Sequence, residues 1–291
     1  METVILTDSC SDLPLDYIED NKIPYLSFIY ELNDTEYEDD FWKTADYKEF
    51  YDALKKGGTA TTSQVNVKRY YEEFKKYVNQ DKSVIYVGFS SALSGSVDSA
   101  KLAREQILEE FSNADITIID SKSASLGLGL LVHYAYDMLK KGSTKEEIVD
   151  WLEKNKLKVN HWFTVEDLNY LKRGGRISST TAIVGTLLNI KPVLFVNNEG
   201  KLIPYERVKG RRKALKVLVE KLIDKIIDTE EKIIAISHSD CVEDAEYIKK
   251  SILEHCKVEK VIISNIGPVI GSHTGAGVVA LFFIGDSRTC N

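Results

Sequence analysis

The sequence predicts an α/β protein of two domains. The first is an N-terminal, mostly parallel sheet flanked by helices. The second is a C-terminal α/β domain with a mixed sheet, and a ligand is expected between them. Three observations carry this. Up to about residue 155, short apolar β-branched runs alternate with helical patterns, as in parallel strands joined by crossover helices. Beyond residues 156–160 the pattern changes, and strands over 190–196 and 201–208 flank Asn197-Asn198-Glu199-Gly200, a hairpin signal that requires antiparallel pairing. The chain has 291 residues, enough for two modest domains, here set at 1–157 and 158–291.

Taken in order, residues 4–6 form a short buried strand that ends in the polar turn Thr7-Asp8-Ser9-Cys10-Ser11-Asp12, and a helix follows Pro14. Residues 25–32 read as a second strand. Residues 33–46 are acidic, with Tyr37, Phe41 and Trp42 among them, and read as an irregular excursion from the sheet. A short amphipathic helix covers 47–55, and 57–64 is a small-residue loop dense in hydroxyls. Val67, Tyr70, Tyr71, Phe74 and Tyr77 share one face of a helix over 66–78. The run over 83–89 is of parallel-strand type; it breaks at Ser90-Ser91-Ala92-Leu93-Ser94-Gly95-Ser96 and passes into a helix over 97–111. The next strand covers 114–119 and ends at Asp120-Ser121-Lys122-Ser123. The helix over 126–139 is apolar nearly all round and is expected to be buried. Ser143-Thr144-Lys145-Glu146-Glu147 is a capping box that opens a helix over 148–155.

The second half opens with a strand over 161–165, a helical turn over 167–172, the basic glycine turn Arg173-Gly174-Gly175-Arg176 and a small-residue helix over 181–188. After the hairpin, the basic stretch 207–213 leads into a long helix ending at Ile227. A strand over 233–238, a helix over 242–255 and two closing strands, 258–264 and 278–284, complete the chain. Between those last strands lies the loop 265–277, with four glycines and the triplet Ser272-His273-Thr274.

Composition narrows the function. The net charge of −7 argues against broad nucleic-acid binding. Cys10, Cys241, Cys256 and Cys290 are scattered without C-x-x-C spacing, which fits neither a zinc site nor a disulfide framework and suits a reducing cytoplasm. No basic start with an apolar region precedes the first strand, so no signal peptide is expected. No metal-ligand cluster, phosphate loop or dinucleotide fingerprint is present, so neither metal nor cofactor is expected.

What remains is a set of hydroxyl-rich turns. Those over 7–11, 59–63 and 90–96 either follow strands or precede helices, and turns after parallel strands share the carboxyl edge of a sheet, where ligands bind. Thr62 and Ser94 are expected to meet over one pocket, closed by the His273 loop. Two hydroxyls and an imidazole N–H suit a small anion, a carboxylate in particular. The structural alternatives stay open here: helix caps for the hydroxyls, and a turn between core strands for the His273 loop. A catalytic alternative also stays open. Gly88-Phe89-Ser90-Ser91-Ala92 approximates a nucleophile elbow, and Ser90, Asp120 and His273 occur in hydrolase order. Arg173, Arg176, Arg207 and Lys209 form a basic set suited to an acidic partner or an anionic lipid surface, or simply to solvent.

These motifs together resemble the DegV family. The matching stretches are Thr7-Asp-Ser-Cys-Ser-Asp-Leu-Pro14, Thr62-Ser-Gln64, Ser90-Ser-Ala-Leu-Ser-Gly95, the run from Asp120 through Gly129, the run from Glu166 through Ser178, and Gly267-Pro-Val-Ile-Gly-Ser-His-Thr-Gly275. The resemblance implies a non-catalytic two-domain protein that binds one long-chain fatty acid. The carboxylate would meet Thr62, Ser63, Ser94, Gly95, His273 and Thr274, and the acyl chain would lie in an apolar tunnel. It also implies presentation of the fatty acid to a fatty acid kinase that forms acyl-phosphate, with transient contact with a membrane surface as a further expectation. The sequence departs from the family pattern at Val65 and Ala276, where proline is common.

Overall fold

The computed structural model describes residues 1–178, 189–227 and 233–288. The helix expected over 181–188 lies outside the described residues, as does Cys290.

Strand β1 (Glu2–Asp8) pairs in parallel with β2 (Tyr25–Leu26) on one side and β6 (Lys82–Gly88) on the other; β7 (Ile116–Asp120) completes a four-stranded parallel sheet. Helix α1 (Leu15–Asn21) connects β1 to β2. The strand expected over 25–32 is in fact two. After β2 the chain leaves this sheet, and β3 (Ile29–Leu32) turns back through β4 (Thr35–Glu38). Asn33 and Asp34 both adopt positive φ there, a turn conformation that asparagine and aspartate tolerate. Part of the expected excursion is therefore a hairpin strand.

Helix α2 (Tyr47–Lys55) forms as expected, capped by Asp46. The hydroxyl-rich stretch that follows is not a loop. Residues of β5 (Ala60–Ser63) pair antiparallel with β3, making a separate three-stranded sheet of β4, β3 and β5. Thr62 is thus carried outside the parallel sheet. Helices α3 (Val67–Val78), α4 (Ser96–Glu110), α5 (Leu126–Lys140) and α6 (Lys145–Asn155) follow, the last with the Thr144–Glu147 capping box formed.

The second half is built on a six-stranded mixed sheet of β8 (Val159–Thr164), β9 (Ile190–Val196), β10 (Leu202–Lys209), β11 (Ile233–His238), β12 (Lys260–Asn265) and β13 (Val279–Ile284). Its order is β10-β9-β8-β13-β11-β12, and only β11 and β12 run parallel. Helices α8 (Arg211–Lys225) and α9 (Val242–Leu253) cover one face, meeting Trp162, Leu281 and Phe283. Alternation along each strand sends Phe163, Ala280 and Phe282 to the other face. That face shares one continuous apolar core with the N-terminal half, and α5 packs between the two sheets, as its all-round apolar sequence requires. The short α7 (Leu168–Arg173) lies beyond β8. The stretch expected as a loop over 265–277 contains a helix, α10 (Pro268–Thr274), started by Pro268 in its first turn and ended by Gly275 at φ 76°.

Candidate functional site

Between the two halves lies a cavity of about 810 Å³, within the range of small-molecule sites. Thr62, Ser63, Ser94, Gly95, His273 and Thr274 all line it. The remaining wall is mostly apolar: Phe28 and Phe89 from the N-terminal half, and Phe163, Val196, Leu202 and Phe282 from the C-terminal sheet.

The polar end is assembled from β5, the turn between β6 and α4, and α10. Thr62 Oγ1 and His273 Nε2 are 2.8 Å apart. Burial pushes the His273 imidazole down to about 4, and the nearby Arg176 guanidinium acts in the same direction, so the ring is neutral at ordinary pH. The ring fits because α7 ends in a residue without a side chain: a Cβ at Gly174 would stand 2.1 Å from His273 Nδ1. Ser94 Oγ accepts from the Ser96 amide at 3.2 Å, which leaves its own O–H to donate. Thr274 donates to the Ile270 carbonyl at 3.0 Å, so it turns acceptor lone pairs, not a proton, outward. Gly95 meets the Gln64 side chain at a distance no Cβ would permit, and Gln64 is held in turn by Ser99.

Arg176 also lines the cavity. Its Nε donates to the Leu93 carbonyl at 3.1 Å, next to Ser94, and its Nη1 donates to the Gly174 carbonyl. The reading that grouped it with the basic surface set missed this; only the turn after α7, folding back over the β6–α4 turn, brings it inward. Of the others in that set, Arg173 is exposed and stacks over the Tyr170 ring, while Arg207 and Lys209 are exposed on the sheet-edge strand β10.

Two expectations about the serine turns change. The turn over 7–11 does not line the cavity. Asp8 accepts from the Cys10 amide as a cap, and also from Tyr86 and the Phe89 amide. The hydrolase arrangement is not assembled either. Ser90 is buried and donates to the Gly200 carbonyl at 3.1 Å, Asp120 bonds Ser91 and Lys122, and His273 faces Thr62. A nucleophile needs its base within hydrogen-bond reach, and Ser90 has a carbonyl instead. Among the described residues no cluster of three or more metal-ligating side chains occurs, and no helix is long and apolar enough to cross a membrane.

The DegV family model, described as an uncharacterised protein family, matches residues 2–286. A DegV domain-containing protein of Clostridium perfringens is 49% identical over 285 residues, covering 98% of each chain. Among solved structures, that of a fatty-acid-binding DegV family protein from Thermus thermophilus is similar at a TM-score of 0.88 and 29% identity, covering 98% of this chain and 100% of that one. A stearic-acid-binding protein from Eubacterium ventriosum is similar at a TM-score of 0.85 and 25% identity, covering 98% of each. With a family model over nearly its whole length and a relative at this identity, the chain belongs to the DegV family.

Proposed function

We propose that this protein is a fatty-acid carrier. It takes one long-chain fatty acid into the cavity, with the carboxylate against Thr62, Ser94 and the His273-Thr274 turn and the acyl chain along the apolar wall. The observation that carries this reading is the Thr62–His273 pair at one end of a largely apolar cavity. A carboxylate removed from water must accept hydrogen bonds. The Ser94 hydroxyl is free to donate one, the Thr62 hydroxyl donates a second when His273 Nε2 carries the ring proton and bonds Thr62 Oγ1, and the half-buried Arg176 adds positive charge nearby. The acyl chain supplies most of the affinity: at about 0.8 kcal/mol per methylene, about fifteen give roughly 12 kcal/mol before the costs of association. The fatty acids bound by the related Thermus and Eubacterium proteins support the ligand class.

In this reading the protein is a non-catalytic subunit that acts in the cytoplasm. It presents the carboxylate to a fatty acid kinase for acyl-phosphate formation, and Arg173, Arg207 and Lys209 are the basic contacts for that partner or for an anionic membrane surface. Native mass spectrometry of the purified protein, before and after denaturation and extraction, tests the core of it. An adduct that extracts as a free fatty acid supports the carrier. A clean apo mass that persists after incubation with palmitate and oleate overturns it.

A further inference from the structure

The turn over 7–11 stays outside the cavity, yet one carboxylate in it reaches both ends of the turn that carries Ser94. Asp8 closes β1. Its Oδ2 accepts from the Phe89 amide at 2.9 Å, just before that turn, and from the Tyr86 hydroxyl at 2.7 Å. Tyr86 Oη lies 2.6 Å from Tyr70 Oη on α3, and Tyr70 Oη lies 2.7 Å from Oγ of Ser96, the first residue of α4. Asp8, Tyr86, Tyr70 and Ser96 are all fully buried. Room for the Tyr86 ring comes from Gly88 on the same strand, where a Cβ would stand 2.7 Å from Tyr86 Oη.

Each hydroxyl has one proton to donate. Tyr86 donates to Asp8, so towards Tyr70 it can only accept. Tyr70 then donates to Tyr86 and can only accept from Ser96. All three protons therefore run towards the carboxylate. Burial raises Asp8 to about 6, and the bonds from Phe89, Tyr86 and Cys10 oppose the rise, so above that pH the chain ends on a charged acceptor. Hydrogen bonds to an ionised acceptor are the stronger kind, and they polarise the bonds behind them.

At the other end, Ser96 has its hydroxyl committed to Tyr70 while its amide donates to Ser94 Oγ at 3.2 Å. Ser94 thereby keeps its own proton for the cavity, which it lines. The middle of the turn is held from elsewhere: the Ser90 amide donates to the Ser123 carbonyl and the Ser91 amide to Asp120 Oδ1.

We propose that Asp8 is a positioning residue for the Ser94 hydroxyl: through Tyr86 and Tyr70 it fixes Ser96, whose amide orients Ser94 Oγ. The role of Ser94 as a carboxylate donor rests on the fatty-acid reading; the bracing of the turn does not.

The test has two arms. Tyr70→Phe cuts the chain by removing one hydroxyl, and Tyr86→Phe unhooks Tyr70 from the carboxylate. In the first arm, affinities for palmitate and palmitate methyl ester are measured at pH 7.5. Tyr71→Phe, which removes a hydroxyl bonded to the exposed Glu110, is the control. Each chain variant is expected to bind palmitate about threefold to tenfold more weakly, and to bind the ester as the wild type and the control do. The double variant is expected to lose no more than Tyr70→Phe alone, since both cuts fall in one chain. Unchanged palmitate affinity, equal losses for the two ligands, or losses that add in the double variant overturn the assignment. In the second arm, amide hydrogen exchange is followed from Phe89 to Ser96 without ligand. Exchange at Ser96 is expected to quicken about tenfold in both chain variants, with Ser90 and Ser91 unchanged. Unchanged protection at Ser96, or a loss spread evenly over the turn, overturns the bracing. Should one chain variant not fold, the other decides both arms. If palmitate does not bind the wild type, the fatty-acid reading fails and the exchange arm still decides the bracing.

Discussion

His273 Nε2 lies 2.8 Å from Thr62 Oγ1, joining two residues 211 positions apart in the chain. One sits on a small sheet of the N-terminal half and the other on the last turn of a helix of about two turns in the C-terminal half. Neither would be near a ligand without the other element, so the polar end of the cavity exists only when the two halves are docked.

Removing the Thr62 hydroxyl should therefore weaken binding of the charged head selectively. Hydrogen bonds to charged groups are worth about 1.5–3 kcal/mol, so Thr62→Val is expected to lose roughly tenfold to a hundredfold in affinity for palmitate. The affinity for palmitate methyl ester, which has no charge to satisfy, should change little. Competition titrations with the two ligands check this, and an equal loss for both would point to a collapsed cavity instead.

Gly174→Ala should act on the same site from behind. The new Cβ would collide with His273 Nδ1, so the ring must turn away from Thr62. Overpacking of this kind costs about 1–3 kcal/mol. The expected result is reduced melting temperature together with a carboxylate defect matching that of His273→Ala; a stability loss with normal palmitate affinity would count against the geometry.

His273 and the buried aspartates should pull stability in opposite directions between about pH 4 and pH 7. His273 has a folded-state pKa depressed to about 4, below the ordinary value of 6.5, so its neutral form stabilises the fold and that contribution is lost as pH drops from about 6.5 to 4. The loss is on the order of 2–3 kcal/mol. Asp8 and Asp12, raised to about 6 and 7, act with opposite sign: stability is lost as pH rises from about 4 through those values. Urea denaturation of wild type and His273→Gln between pH 4 and pH 8 separates the two, since only the acid-side loss should shrink in the variant.

Ser90→Ala should leave fatty-acid binding intact. Its hydroxyl bonds the Gly200 carbonyl and not an imidazole, so the variant is expected to lose about 1 kcal/mol of stability and nothing else. A fluorophosphonate probe should leave Ser90 unlabelled in the wild type; stoichiometric labelling would revive the hydrolase reading.

Arg288→Leu should be among the most destabilising substitutions in the chain. This arginine is 1% exposed, and its guanidinium donates to the carbonyls of Val159, Lys122, Asn197 and Lys156 and to Ser123 Oγ. Burial lowers it to about 9, so it stays charged at neutral pH. Orphaning several buried acceptors at about 1–3 kcal/mol each should show as a large drop in melting temperature, or as failure to accumulate folded protein.

The parts of this molecule that could be read from sequence are those whose signals are local. Asp46 before Tyr47, the Thr144–Glu147 box and the Asn197–Gly200 turn each mark an element boundary by their own chemistry, and the elements begin and end where those residues stand. The misread stretches depend on partners. Ala60, Thr61, Thr62 and Ser63 have no alternating hydrophobicity; they are a strand because β3 lies beside them. Helix α10 has seven residues, flanked by Gly267 and Gly275, too few for a helical period to register. Arg176 belonged to a basic run by composition, and only the fold turns it inward. The cavity-lining hydroxyls were legible because polar residues at strand ends need a reason; the apolar wall was not, since its residues look like any other core.

The core that runs unbroken from the parallel sheet through α5 to the inner face of the mixed sheet has a cavity inside it. On the carrier reading an acyl chain there would be a missing piece of the interior and not cargo on a surface, and a ligand that binds only the folded state adds to stability in proportion to the logarithm of its concentration over its dissociation constant. The folded lifetime of the protein, and with it its resistance to proteolysis, should then rise and fall with lipid supply, so that the amount of carrier in a cell adjusts to the amount there is to carry.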